Sequence, residues 1–164
     1  MSKTIRILGV DPGYGRMGYG IIDCQGNKLK HIDNGVVETP SGDDFPDRLH
    51  FLYKNLTKII KKYKPEVMAV EDLFFYKNSK TAIKVGQARG VIVLTGVVNH
   101  LQIMEFTPLQ VKQAVACYGR AEKSQVQRMI KVILNLITVP KLDDAADALA
   151  LAICASSNYK LHIC

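Results

Sequence analysis

A chain of 164 residues with 48% hydrophobic and 23% charged side chains is long enough to bury one core and too mixed in composition to be disordered or fibrous. Its 22 Lys+Arg against 15 Asp+Glu leave a net charge of +7, which favours a polyanionic partner, nucleic acid first among them, without fixing one. The four cysteines (Cys24, Cys117, Cys154 and Cys164) fall at no metal-type spacing, no leader is visible, and "VIVLTGVV" (91–98) is too short to span a bilayer, so a reducing, cytoplasmic setting with no membrane role is expected.

In chain order, "IRILGVD" (5–11) reads as a buried strand stopped by a Pro-Gly turn. Residues 17–24 and 28–39 follow as strands linked by "QGN", and the three together predict an antiparallel meander. "SGDDFPDRL" carries helix-start residues. The spacing of Leu49, Leu52, Leu56, Ile59 and Ile60 then predicts an amphipathic helix to about Tyr63, stopped by Pro65. A fourth strand is expected at 66–71. Residues 78–101 join a helical opening to a β-branched run, and the expectation is one long helix, apolar on more than one face. A fifth strand at 102–107 and helices at 108–117, 122–136 and 143–158 complete an α/β pattern, a sheet covered by helices. The expected organisation is a single domain over 1–158 with a short tail at 159–164.

"GYGRMG" (13–18) matches the dinucleotide fingerprint GxGxxG, but a strand follows it where the pyrophosphate site needs a helix N-terminus, so a tight hairpin is the better reading. The acidic residues carry more. Asp11 and Glu71 end the first and fourth strands, at the sheet edge where functional groups gather in α/β proteins. Asp144 and Asp147 stand on one face of the last helix. Four convergent carboxylates suit hard cations such as Mg²⁺, and two such ions serve phosphodiester hydrolysis. Aspartates at a helix start also serve as caps, and D-x-x-D imitates a capping box, although Asp147 lies in a run of Ala and Leu that offers little polar face. "FFYKNSK" (74–80) sets aromatics among lysines, a pattern that suits stacking on unpaired bases and equally suits a ring or two in the core.

With these residues assembled, the chain resembles the RuvC family of Holliday junction resolvases. The carrying motifs are "ILGVDPG" with "GYGII", "VEDLFFYKN", "GQARG", "QVKQAV", "AEKSQVQ" and "DAADALALAI", in order from Ile7 to Ile153. The resemblance implies an RNase H-like fold, a five-stranded mixed sheet flanked by helices. It implies a homodimer that nicks two strands of a four-way DNA junction symmetrically, leaving 5′-phosphate and 3′-hydroxyl ends. It also implies a RuvA–RuvB branch-migration complex as partner, and Mg²⁺ as cofactor, two ions per site with Mn²⁺ as a substitute. Carried over residue by residue, the catalytic and metal-binding acids fall on Asp11, Glu71, Asp144 and Asp147. The stacking aromatic falls on Phe74, and lysines near the DNA backbone fall on Lys112 and Lys123. Two features depart from the pattern: Asp143 stands beside Asp144 where one acid suffices, which leaves Asp143 as a cap for the helix start, and the tail "NYKLHIC" is short.

Other readings stay in view beside it. An RNase H-like nuclease or transposase differs in its DNA substrate, a junction-binding module without activity lacks converging acids, and an actin-like phosphotransferase requires two related domains.

Overall fold

The computed structural model describes residues 3–72 and 79–161. Its strands are β1 (Ile5–Asp11), β2 (Arg16–Gln25), β3 (Lys28–Glu38), β4 (Val67–Glu71) and β5 (Gln102–Phe106). Its helices are α1 (Phe45–Tyr63), α2 (Ser79–Val98), α3 (Pro108–Ala116), α4 (Lys123–Ile133) and α5 (Asp143–Leu161). The strands join in one sheet in the order β3-β2-β1-β4-β5. β1, β2 and β3 pair antiparallel, while β4 runs parallel to both β1 and β5. This is the mixed five-stranded sheet expected of an RNase H-like fold. Because "GYGRMG" leads into β2, no helix follows those glycines.

Side-chain alternation along the central strands divides the core in two. Ile7, Val67 and Ala69 point to the face covered by α3, α4 and α5. Leu8, Val10, Met68 and Val70 point to the opposite face, against α1 and α2. Leu52, Leu56 and Ile60 are the buried stripe of α1, at the spacing read from the sequence. Each such side chain taken out of water contributes about 1.5–3 kcal/mol.

Helix α5 lies unusually close to the sheet, and glycines make the approach possible. A Cβ on Gly9 would stand 1.9 Å from the Ala148 carbonyl oxygen, and one on Gly18 would stand 2.0 Å from the Asp144 carbonyl oxygen. The alanines of "DAADALALA" are the complement on the helix side, small enough to bring two backbones together.

Three helix ends differ from expectation. α2 stops at Val98 rather than 101, where His100 takes a left-handed conformation (φ 62°). α4 stops at Ile133 rather than 136, because Asn135 takes a left-handed conformation (φ 50°) that asparagine tolerates better than most residues. Its N–H reaches the Val132 carbonyl and that of Leu136 reaches the Lys131 carbonyl, which closes the helix. α5 runs three residues past 158, to Leu161.

Helix α2 leaves apolar side chains uncovered. Its stretch Thr81–Val98 is long and apolar enough to cross a bilayer (mean hydropathy 1.3), because the helix continues well ahead of "VIVLTGVV", yet only 22% of that stretch is buried. Its inner side packs on α1 and β5. Ile83, Leu94, Val97 and Val98 remain exposed, with Leu94 at 61%.

Candidate active site

The alternation that sorts the core also sorts the acids. Asp11 has the parity of Ile7, and Glu71 that of Val67 and Ala69, so both side chains rise on the α5 face of the sheet. The parallel register pairs Val10 with Val70, which sets Asp11 and Glu71 at the ends of neighbouring strands roughly 4.8 Å apart. Across the antiparallel ladder, Asp11 faces Gly18, the glycine on which the Asp144 backbone rests. Asp147 follows one turn later on α5. Strand pairing and the close approach of α5 thus bring all four sequence-predicted acids to one corner of the molecule.

Asp11, Glu71, Lys112, Lys123 and Asp147 line one cavity of about 220 Å³, with Val111, Val126, Ala150 and Leu151 as its apolar lining. Asp144 is not part of this lining, but its charge acts on the Asp11 carboxyl and its Oδ2 is 3.9 Å from Arg16 Nη1. A larger and more open groove of about 650 Å³ lies elsewhere, between β3 and the loop before α5. Among the described residues no acidic side chain lines it, so the smaller cavity is the candidate site. Phe74 lies outside the described residues.

The electrostatics show a site with excess negative charge. Burial, and then the charges of Glu71, Asp147 and Asp144, push the Asp11 carboxyl up to about 8. Glu71 is raised by burial and by Asp147. Asp147 is raised by burial, with Lys123 pulling the other way. Lys123 is the local counter-charge, with Nζ 3.2 Å from Asp147 Oδ2 and 3.3 Å from Asp143 Oδ2. Burial pulls its ammonium down, but these two carboxylates outweigh that and raise it.

Among the described residues, no three His, Cys, Asp or Glu side chains form a ready-made metal cluster. The donor set still fits a hard divalent cation: the candidate donors are carboxylate oxygens, and the Asp11 carboxyl is raised by burial first and then by neighbouring negative charge, which a cation would offset.

Three residues outside the sequence-predicted set shape the site. Arg89, from "GQARG", donates through Nε to the Glu71 carbonyl oxygen at 3.0 Å and through Nη2 to Glu105 Oε1 at 2.7 Å, pinning the ends of β4 and β5. Arg16 ties Asp144 to Glu38. Asp143 does not serve as the cap expected of it: its carboxylate accepts from Gln127 Nε2 at 2.9 Å and pairs with Lys123. The motif "GQARG" pointed toward Arg89, whereas nothing in the sequence marked Arg16 or the Asp143 contacts.

Residues 7–155 match the family model described as Crossover junction endodeoxyribonuclease RuvC. The chain belongs to the RuvC family. The RuvC of Halothermothrix orenii is 59% identical over 156 residues, which are 95% of this chain and 94% of that one. The Thermus thermophilus RuvC structure superposes with a TM-score of 0.89 at 30% identity, covering 96% of this chain and 97% of that one. T. thermophilus RuvC in complex with Holliday junction substrate gives 0.91 at 30% identity, over 96% of both chains. RuvC nucleases depend on divalent metal, in keeping with the donor set described above.

Proposed function

We propose that this chain is a metal-dependent endodeoxyribonuclease that resolves four-way DNA junctions by paired, symmetric nicks, in recombination and repair. The observation that carries the reading is the convergence of β1, β4 and α5 acids beside two lysines in a member of the RuvC family. Membership makes junction DNA a better substrate reading than that of a transposase or another RNase H-like nuclease. The acids disfavour a module that only binds. An actin-like enzyme requires two related domains, whereas the described residues form one sheet.

Asp11, Glu71, Asp144 and Asp147 would hold the cation, with Mg²⁺ the best match to an all-oxygen site, two ions per site, and Mn²⁺ able to replace it. A bound divalent ion would supply Lewis acidity at the phosphate and would make a water bound to it more acidic. The rest falls to the chain itself. Arg89 and the β1–β4 register fix Asp11 and Glu71 in place, so no reorganisation is needed as the phosphate enters. Lys112 and Lys123 present positive charge to the phosphodiester on the cavity wall. The apolar lining of Val111, Val126 and Leu151 excludes bulk water beside the reacting groups. Phe74 would stack on a base opened at the junction centre, immediately beyond the Glu71 strand.

A synthetic four-way junction, offered against linear duplex with and without Mg²⁺, tests the function. Wild type should nick only the junction and only with metal. Glu71→Gln should bind the junction and leave it intact, because the phosphate contacts come from lysines and arginines. Phe74→Ala should bind more weakly by roughly 1–3 kcal/mol per lost stack, with its melting temperature unchanged. Equal cleavage of duplex and junction would refute the reading.

A homodimer fits the half-covered α2, whose exposed Leu94, Val97 and Val98 lie at helical spacing. Sedimentation of wild type should give a dimer, and Leu94→Glu a folded monomer that nicks one strand without its mate. A wild-type monomer at micromolar concentration would exclude the assembly. Docking to a RuvA–RuvB complex and a cytoplasmic location complete the proposal.

A further inference from the structure

We infer that Asp143 is a positioning residue for Lys123, a second seat that receives the ammonium when a divalent cation takes Asp147. The inference rests on the metal-dependent reading above and adds to it a residue outside the four acids.

Three contacts carry it. Lys123 opens α4, and its ammonium is shared almost evenly, 3.2 Å from Asp147 Oδ2 and 3.3 Å from Asp143 Oδ2. Gln127, one turn along the same helix, donates to Asp143 Oδ1 at 2.9 Å. Each Asp143 oxygen therefore has its own partner, and both partners come from one face of α4. Asp143 and Asp147 are in turn four residues apart on α5, so they share a face. An ammonium between them moves from one to the other by side-chain rotation, with both helices stationary.

The two seats differ in position. Asp147 lines the cavity, whereas Asp143 is outside it, with its side chain 64% exposed. A cation bound by Asp147 cannot share that oxygen with a lysine without strong repulsion. In this chain the displaced ammonium has a prepared partner, held in orientation by Gln127. Without Asp143 the lysine would close fully on Asp147, and a cation would have to displace it from the one carboxylate it still pairs with directly among the described residues. Asp143 thus lowers the cost of loading and keeps Lys123 at the cavity wall, beside the path of the phosphate.

The test is Mn²⁺ binding to the full chain without DNA, read as the loss of the free-ion electron paramagnetic resonance signal. The proteins are wild type, Asp143→Asn, Lys123→Met and the double variant. Asparagine keeps an oxygen for Gln127, so folding is preserved, and equal melting temperatures without metal check this. Asp143→Asn should weaken Mn²⁺ binding by about two- to fivefold, the range of an exposed ion pair. In the Lys123→Met background the same change should have almost no effect, because there is no ammonium left to receive. Asp143→Glu should restore binding. An equal loss in both backgrounds would make Asp143 a general source of negative charge and overturn the inference, as would no loss in either. If wild type itself fails to bind Mn²⁺, the metal-dependent reading falls as well, so the two failures are distinct.

Discussion

Asp11→Asn is expected to abolish junction cleavage while making the metal-free protein more stable at neutral and alkaline pH. The substitution keeps shape and removes charge from the place where burial and three neighbouring carboxylates make it most costly. The sign follows from proton binding. Asp11 is raised from 3.8 to about 8 in the folded chain. Between those values the folded state holds a proton that the unfolded state has released, so stability falls as pH rises, by about 1.4 kcal/mol per pH unit for one such group. Below the window both states are protonated and no penalty exists; above it both are ionised and the penalty is complete. Asparagine carries no such penalty, so the melting temperature of the variant in EDTA should decline less steeply with pH. Glu71 and Asp147 are raised as well and will leave some slope. Added Mg²⁺ should flatten the wild-type curve and leave that of the variant nearly unchanged. Thermal melts across this pH window, beside a junction assay, decide the matter. Wild-type cleavage by the variant would remove Asp11 from the site.

Gly9→Ala should cost the most stability, about 3 kcal/mol, the upper range for overpacking in a tight core. Its Cβ would meet the Ala148 carbonyl oxygen at 1.9 Å and the Ala152 nitrogen at 2.8 Å. Both are backbone atoms of a buried helix, so no rotamer change relieves the clash. α5 would have to lift from β1 and carry Asp144 and Asp147 away from Asp11, so cleavage should be lost together with stability. Urea denaturation reads the first effect and the junction assay the second. A stable, active Gly9→Ala would show that α5 can ride higher on the sheet without harm.

Periodicity made most of the fold legible. β1 begins and ends where its apolar run does, and the buried stripe of α1 is the one its spacing defined. The four acids were legible for a different reason: strand ends and one helix face can be read locally, and an ordered set of motifs fixed the register. What escaped depends on residues that meet only in three dimensions. Asp143 reads as a cap from its own helix, and its actual partners, Lys123 and Gln127, belong to another. Arg16 and Asp144 are likewise distant in the chain. The end of α4 turned on one asparagine adopting a positive φ, which propensity does not foretell. A glycine inside a strand reads as a weakness until the helix it admits is in view.

The seating of α5 on Gly9 and Gly18 also bears on how the protein is made. β1, at the centre of the sheet, carries Asp11, and α5, the last of the described helices, carries Asp144 and Asp147. A ribosome releases Asp11 long before Asp147. Contacts between such distant segments form late, once closure of the long loop between them has been met. The growing polypeptide therefore has a sheet edge with two acids and nothing opposite them. Until α5 docks, an enzyme built to cut DNA has no complete site with which to cut it.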